Sequence, residues 1–287
     1  MALTIDQRPP GADAEPMHDR ETPRPSPVLT ILVTGATDGI GLETARQLAN
    51  QGHRLIIHGR SPNKLAQAQR LLAPLTEVAV VCADLGSLAD TRRAVDELGS
   101  RFERIDTVLN NAGIYQNEPT LSVDGFELTF AVNHLAPFAL TLGLLPLVPA
   151  GGRVINVSSV AHSRGRIDWS SLRTVARYDA YRAYAQSKLM NVMFTLDLQS
   201  RRPDLAVNSL HPGVVSTKLL TDGFGMQGPD SLAAGAATSV WLASAPETAT
   251  LRGTYCAKSQ VARYAAAADD AETRRRLWAF SCEAAGL

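Results

Sequence analysis

Ile31-Leu32-Val33-Thr34-Gly35-Ala36-Thr37-Asp38-Gly39-Ile40-Gly41 is the stretch that decides the fold. Its apolar start predicts the end of a buried strand, and three glycines spaced Gly-x-x-x-Gly-x-Gly follow at once. Gly35 suits a tight turn, Gly39 lets a pyrophosphate approach the backbone, and Gly41 permits close packing of the next helix. The amino end of that helix offers free N–H groups and a positive dipole to phosphates. An ordinary strand-to-helix turn is the bland alternative, and the glycine spacing directly after the apolar run argues against it. No Gly-Lys-Ser/Thr follows, which excludes a Walker phosphate loop.

Beyond this turn the same texture repeats. The pattern predicts strands at Val28–Thr34, Arg54–His58, Glu77–Cys82, Ile105–Leu109, Arg153–Val157, Ala206–Leu210 and Gly253–Cys256. Helices are expected at Ile40–Gln51, Pro62–Leu72, Leu88–Gly99, Ala180–Ser200, Ser231–Ala243 and Ala268–Ala284, with further helical stretches between Leu121 and Val148. Short apolar strands alternating with helices predict an α/β, doubly wound Rossmann fold. It would be a single domain over residues 28–287, a mostly parallel seven-stranded sheet flanked by helices, with ligands beyond the carboxyl ends of the strands. Residues 1–27 are proline-rich and poor in large apolar side chains, so a disordered extension is expected there.

Composition narrows the function classes. The 287 residues are 45% hydrophobic and 20% charged with zero formal net charge. Such a chain can bury a substantial core but shows no basic stripe, so no nucleic-acid partner is expected. The longest apolar run, Phe138–Val148, is interrupted by Pro146 and falls short of the ~20 residues of a membrane helix. No membrane partner is expected either. Cys82, Cys256 and Cys282 are widely spaced, which points to free thiols in a reducing cytoplasm and to no metal site.

The chemistry is concentrated in Ala183-Tyr184-Ala185-Gln186-Ser187-Lys188. Residues four apart share one helix face, so an ammonium would lie beside a phenol. A fixed positive charge favours the phenolate and would bring its pKa down from ~10 toward the working range. After the second strand stands His58-Gly59-Arg60, where a carboxylate would hydrogen-bond a ribose 2′-hydroxyl. A guanidinium there can pair with a 2′-phosphate, which favours NADP(H) over NAD(H); a solvated surface Arg60 is the alternative.

The glycine turn, Asp84-Leu85, Asn110-Asn111-Ala112-Gly113, Asn133, Ser159, Tyr184 with Lys188, and Pro212-Gly213 occur in one order along the chain. In this it resembles the short-chain dehydrogenase/reductase superfamily over nearly all of residues 28–287. The texture is closest to the retinol-dehydrogenase-like and protochlorophyllide-reductase-like branch, through Val157-Ser158-Ser159-Val160-Ala161-His162 and Ser187-Lys188-Leu189-Met190-Asn191.

The resemblance implies a small-molecule carbonyl or alcohol substrate and hydride transfer, with Tyr184 as general acid/base and Ser159 polarising the reacting oxygen. Lys188 would bind the nicotinamide ribose and tune the phenol, and Asn133 would bend its helix and hold a water that connects Lys188 to solvent. Cofactor contacts are implied at Thr34, Gly35, Thr37, Asp38, Gly39, Ile40, Gly41, Asp84, Leu85, Asn111, Ala112, Gly113, Tyr184, Lys188, Pro212, Gly213, Val215 and Thr217. Asp84 would accept from the adenine amine, or else cap the following helix. Ser158 is expected to face away from Ser159. His134 and His162 are less favoured as acid/base groups, because the tyrosine fills that role. Lys218–Pro229, with three glycines, reads as a flap over substrate. The family commonly forms homo-oligomers, though this branch often departs from that. A non-catalytic NADP(H)-sensing regulator, a nucleotide-sugar epimerase and a C=C reductase remain rival readings. The epimerase would need a larger carboxy-terminal region.

Overall fold

The computed structural model describes residues 27–287. The expected extension at 1–27 therefore lies, but for its last residue, outside the described residues. Eight strands form one sheet in the order β3-β2-β1-β4-β5-β6-β7-β8. They are β1 Thr30–Val33, β2 Arg54–Gly59, β3 Val78–Cys82, β4 Thr107–Asn110, β5 Arg153–Val157, β6 Ala206–His211, β7 Tyr255–Ala257 and β8 Gln260–Ala262. β1 to β7 pair in parallel. The strand order reverses between β1 and β4, which opens a crevice at their carboxyl ends.

The sheet has eight strands where seven were expected. β8 returns antiparallel to β7 through Lys258 (φ 52°) and Ser259 (φ 54°). Two positive φ values in a two-residue connection make a type I′ hairpin turn. Lys-Ser lacks the Asn-Gly signature of that turn, so the hairpin was invisible in the sequence. Tertiary contact holds it instead: the Ser259 amide donates to Thr238 Oγ1 at 3.0 Å.

Helices α1 Gly39–Asn50, α2 Pro62–Leu72, α3 Leu88–Arg101, α4 Leu128–Phe130, α5 Ala136–Leu144, α6 Ala180–Arg201, α7 Leu232–Ser244 and α8 Ala271–Ala285 clothe the sheet. Their starts are set by side-chain caps. Asp38 opens α1, Ser61 opens α2 with Pro62 in its first turn, Ser87 opens α3 and Asp179 opens α6. Alternation along the strands divides the core. Ile31, Val33, Leu55 and Ile57 pack with α1, α2 and α7, whereas Leu32 and Ile56 pack with α3, α5 and α6. Both faces are covered, which explains why the strands read as continuous apolar runs.

Leu128–Leu147 is a continuous helical stretch with mean hydropathy 1.5, long and apolar enough to cross a membrane. The sequence reading placed no run of that length here. Helical continuity through a π turn, Ala131–Leu135, joins two apolar pieces separated by Asn133 and His134. Of its apolar window, 72% is buried inside the protein, against α3 and α6.

Candidate active site

The glycine turn is braced from below. The Thr34 hydroxyl accepts from the Asn111 and Ala112 amides at 2.9 and 3.0 Å, and Asn111 Nδ2 donates to the Thr34 carbonyl at 2.8 Å. These bonds tie the end of β1 to the end of β4, across the crevice. Gly35 has φ 66°, and a Cβ there would stand 2.9 Å from Ala112 Cα. A Cβ on Gly41 would stand 2.2 Å from the Gly35 carbonyl oxygen. Gly41 thus serves the closure of the turn itself, more than packing of the helix as expected.

His58 was not singled out as a site residue, yet it buttresses this turn. Its Nδ1 accepts from the Gly35 amide at 3.3 Å, and its Nε2 lies 3.1 Å from the Ala83 carbonyl. Burial lowers its pKa, so the neutral ring can accept on one nitrogen while donating from the other. Two residues on, Arg60 is exposed at the end of β2. Thr37 comes close to the same place, since a Cβ on Gly59 would stand 2.5 Å from Thr37 Cγ2. Asp84 is exposed past β3 and accepts from the Gly86 amide at 2.8 Å. Ser87, not Asp84, caps α3.

Four candidates from distant parts of the chain converge beyond β4 and β5. Lys188 Nζ donates to the Val157 carbonyl at 3.0 Å and sits 5.5 Å from the centroid of the Tyr184 ring. Ser158 is buried and donates to the Lys188 carbonyl at 2.7 Å, which turns it away from Ser159. Ser159 caps the short helical turn Val160–Arg164, and its side chain lies near enough to the Tyr184 phenol to favour the phenolate. Gly113 leaves room for the group: a Cβ there would stand 3.3 Å from both Asn133 Oδ1 and Lys188 Nζ.

Asn133 lies inside the π turn. Its Oδ1 accepts from the Ile114 amide at 2.7 Å, and its Nδ2 donates to the Ile114 carbonyl and Ser187 Oγ, each at 3.0 Å. Its side chain is thus occupied with holding the loop after β4 against α6.

The electrostatics depart from the sequence expectation. Burial pushes the Tyr184 phenol up to about 12, with the nearby Ser159 side chain offsetting part of the rise. Burial also takes Lys188 down to about 8. Desolvation disfavours the charged form of each residue and is the largest cause of both shifts. His134 is wholly enclosed, pushed down to about 3, and bonded to Ser281 Oγ at 3.0 Å. His162 has both ring nitrogens engaged, with the Ser159 carbonyl at 2.6 Å and the Ala265 amide at 3.1 Å. Neither histidine is free to shuttle protons.

Asp230 is another residue that local pattern did not reveal. Its Oδ2 accepts from the Val214 amide at 2.7 Å and would crowd any Cβ on Gly213 (φ 98°). It thereby sets the turn Pro212–Val215 beyond β6. Thr217 packs over Gly39, whose Cβ would stand 3.3 Å from Thr217 Cγ2. Lys218 reaches Asp38 Oδ2 at 2.6 Å. The flap therefore rests on the glycine turn at one end, and its Phe224 lies against Tyr184 with ring centroids 5.3 Å apart.

A family model described as short chain dehydrogenase matches residues 29–227. Human retinol dehydrogenase 13 is 37% identical over 283 residues, covering 91% of this chain and 86% of its own. A Streptomyces sp. (strain C5) protein provisionally named daunorubicin C-13 ketoreductase DnrU is 37% identical over 271 residues, 91% of this chain and 93% of its own. Among solved structures, a blue fluorescent protein from a metagenomic library, in complex with NADPH, superimposes with TM-score 0.67 at 25% identity. It covers 80% of this chain and 95% of its own. With the doubly wound sheet and the Ser-Tyr-Lys cluster in place, the chain belongs to the short-chain dehydrogenase family of oxidoreductases.

Proposed function

We propose that this protein is an NADP(H)-dependent oxidoreductase that moves a hydride between nicotinamide and a carbonyl or alcohol carbon of a small, apolar or secondary-metabolite substrate. The observation that carries the reading is the meeting of the Tyr184 phenol, the Ser159 hydroxyl and the Lys188 ammonium beyond the ends of β4 and β5. The residues fit the cofactor. The braced glycine turn leaves a backbone cradle that side chains would fill, and the exposed Arg60 at the end of β2 offers a guanidinium able to pair with a 2′-phosphate. The NADPH complex of a structural relative supports the same choice. When bound, NADPH supplies the hydride.

The chain's own residues handle the oxygen. Ser159 donates a hydrogen bond to the substrate carbonyl and stabilises charge as it develops. Tyr184, held protonated by a pKa of about 12, gives its proton to that oxygen in the reducing direction. Lys188 offers its ammonium to the nicotinamide ribose and to the phenol. Asn133 fixes the loop after β4 against α6, beside Lys188. The same reading places the protein in the cytoplasm, supported by its three free cysteines. The related retinol dehydrogenase and ketoreductase names favour carbonyl chemistry over C=C reduction.

Tyr184→Phe tests the assignment. Its dissociation constant for NADPH should stay near that of the native protein while turnover falls by at least ~100-fold. Near-native turnover would remove Tyr184 from the chemistry. Failure of the native protein to oxidise NADPH with any member of a ketone and aldehyde panel would favour the sensing reading.

A further inference from the structure

Four aromatic rings gather at the candidate proton donor. Tyr115, in the loop after β4, and Phe224, in the flap, approach to a centroid distance of 4.0 Å at 42°. Tyr184 stands 5.5 Å from the first and 5.3 Å from the second. Tyr181 meets Phe224 edge-on at 6.4 Å. Leu219, Ala161 and Ala185 complete this apolar cluster. Tyr184 is only 6% exposed, and Tyr115 and Phe224 lie against its ring, so a carbonyl that approaches from the flap side meets these rings first.

The backbone shows which ring can give way. Gly223 packs on Tyr115 so closely that a Cβ would stand 2.9 Å from Tyr115 Cβ, which anchors the flap to this loop one residue before Phe224. Asn117 Nδ2 adds a bond to the Asp222 carbonyl at 3.1 Å. Phe224 is followed by Gly225, at φ 65° with nothing within 4 Å of a would-be Cβ. With Asp222 and Gly223 anchored, Gly225 gives the backbone after Phe224 the freedom to turn that ring aside.

We propose that Tyr115 and Phe224 form an aromatic clamp that selects flat, conjugated or aryl ketones, the ring of the substrate entering between them beside Tyr184. The proposal rests on the oxidoreductase reading for the reacting carbonyl. Opening the clamp forfeits the Tyr115–Phe224 contact. A flat π system restores an aromatic contact on each of its faces, whereas a saturated ring of the same size restores only apolar burial. Each aromatic pair is worth a small factor beyond the area it buries, so discrimination of roughly threefold to tenfold is expected.

The test compares 2-acetylnaphthalene with 2-acetyldecalin on the full-length protein. One arm measures kcat/KM with saturating NADPH; the other measures binding by calorimetry with NADP+ present, where no turnover occurs. The native protein should favour the naphthyl ketone about threefold to tenfold in both arms. Phe224→Leu, which keeps apolar bulk without a ring, should bring the ratio to within about twofold of parity. Phe224→Trp should keep the preference. Equal handling of the two ketones by the native protein, or an unchanged ratio in Phe224→Leu, overturns the clamp. If neither ketone is reduced, the hydride-transfer reading fails for this substrate class, and the binding ratios still decide the clamp.

Discussion

Lys188 directs its ammonium to the Val157 carbonyl at 3.0 Å while standing 5.5 Å from the centre of the Tyr184 ring. One buried cation thus links the end of β5 to the candidate proton donor. Its burial lowers its pKa from 10.5 to about 8, and the sign of the consequence follows. Below pH 8 both folded and unfolded chains hold the proton, and folding bears the full desolvation cost. Between about 8 and 10.5 the unfolded chain binds more protons than the folded one, so this residue makes stability rise with pH. Tyr184 acts oppositely, but only between 10 and about 12, where the folded phenol keeps its proton longer. Denaturant unfolding between pH 7 and 9.5 should therefore show the native protein gaining on Lys188→Met as pH rises. Parallel stability profiles would contradict the burial of this charge.

Arg60 should govern cofactor choice. A charge-assisted hydrogen bond contributes about 1.5–3 kcal/mol, so Arg60→Glu should weaken NADPH binding by roughly 10- to 100-fold. NADH binding should be kept or improved. Fluorescence titration with both cofactors checks this, and equal losses for the two would show that Arg60 merely faces solvent.

Two glycine-to-alanine changes should act in opposite senses. At Gly41 the new methyl would stand 2.2 Å from the Gly35 oxygen and 2.4 Å from Asn111 Nδ2. The turn must shift, costing about 1–3 kcal/mol together with most of the affinity for NADPH. Gly99 lies in α3 with nothing within 4 Å of a would-be Cβ, so alanine there should stabilise by about 0.5–1 kcal/mol. Equilibrium unfolding of both variants is the measurement.

Arg153, buried on β5, donates to the Leu242 and Ala245 carbonyls and to Thr248 Oγ1 at 2.8–2.9 Å. It closes the carboxyl end of α7, where backbone acceptors lack intrahelical partners. Arg153→Met would remove the guanidinium's bonds and leave the Leu242 and Ala245 carbonyls to Thr248 alone, so a loss of about 1–3 kcal/mol is expected by chemical denaturation. A neutral result would mean that water replaces the guanidinium.

Much of the site was legible because its signals are local. Tyr184 and Lys188 share one helix turn, and the three glycines of the first loop lie within seven positions. What escaped notice depended on partners far along the chain. His58 looked like a strand residue until its ring met the Gly35 amide. Asp230 gained meaning only when it met the Val214 amide. The hairpin to β8 turns on Lys258 and Ser259, residues with no intrinsic bias toward positive φ, and so left no signature.

The sequence by itself determined the order of β1 to β7 and their helices, the glycine turn and the catalytic candidates, since strand alternation, helix caps and glycine spacing act over a few residues. Tertiary structure alone decided the state of those groups. Burial raises the Tyr184 phenol where the neighbouring cation was expected to lower it. Desolvation depends on how every surrounding element packs, and no short window of sequence records that.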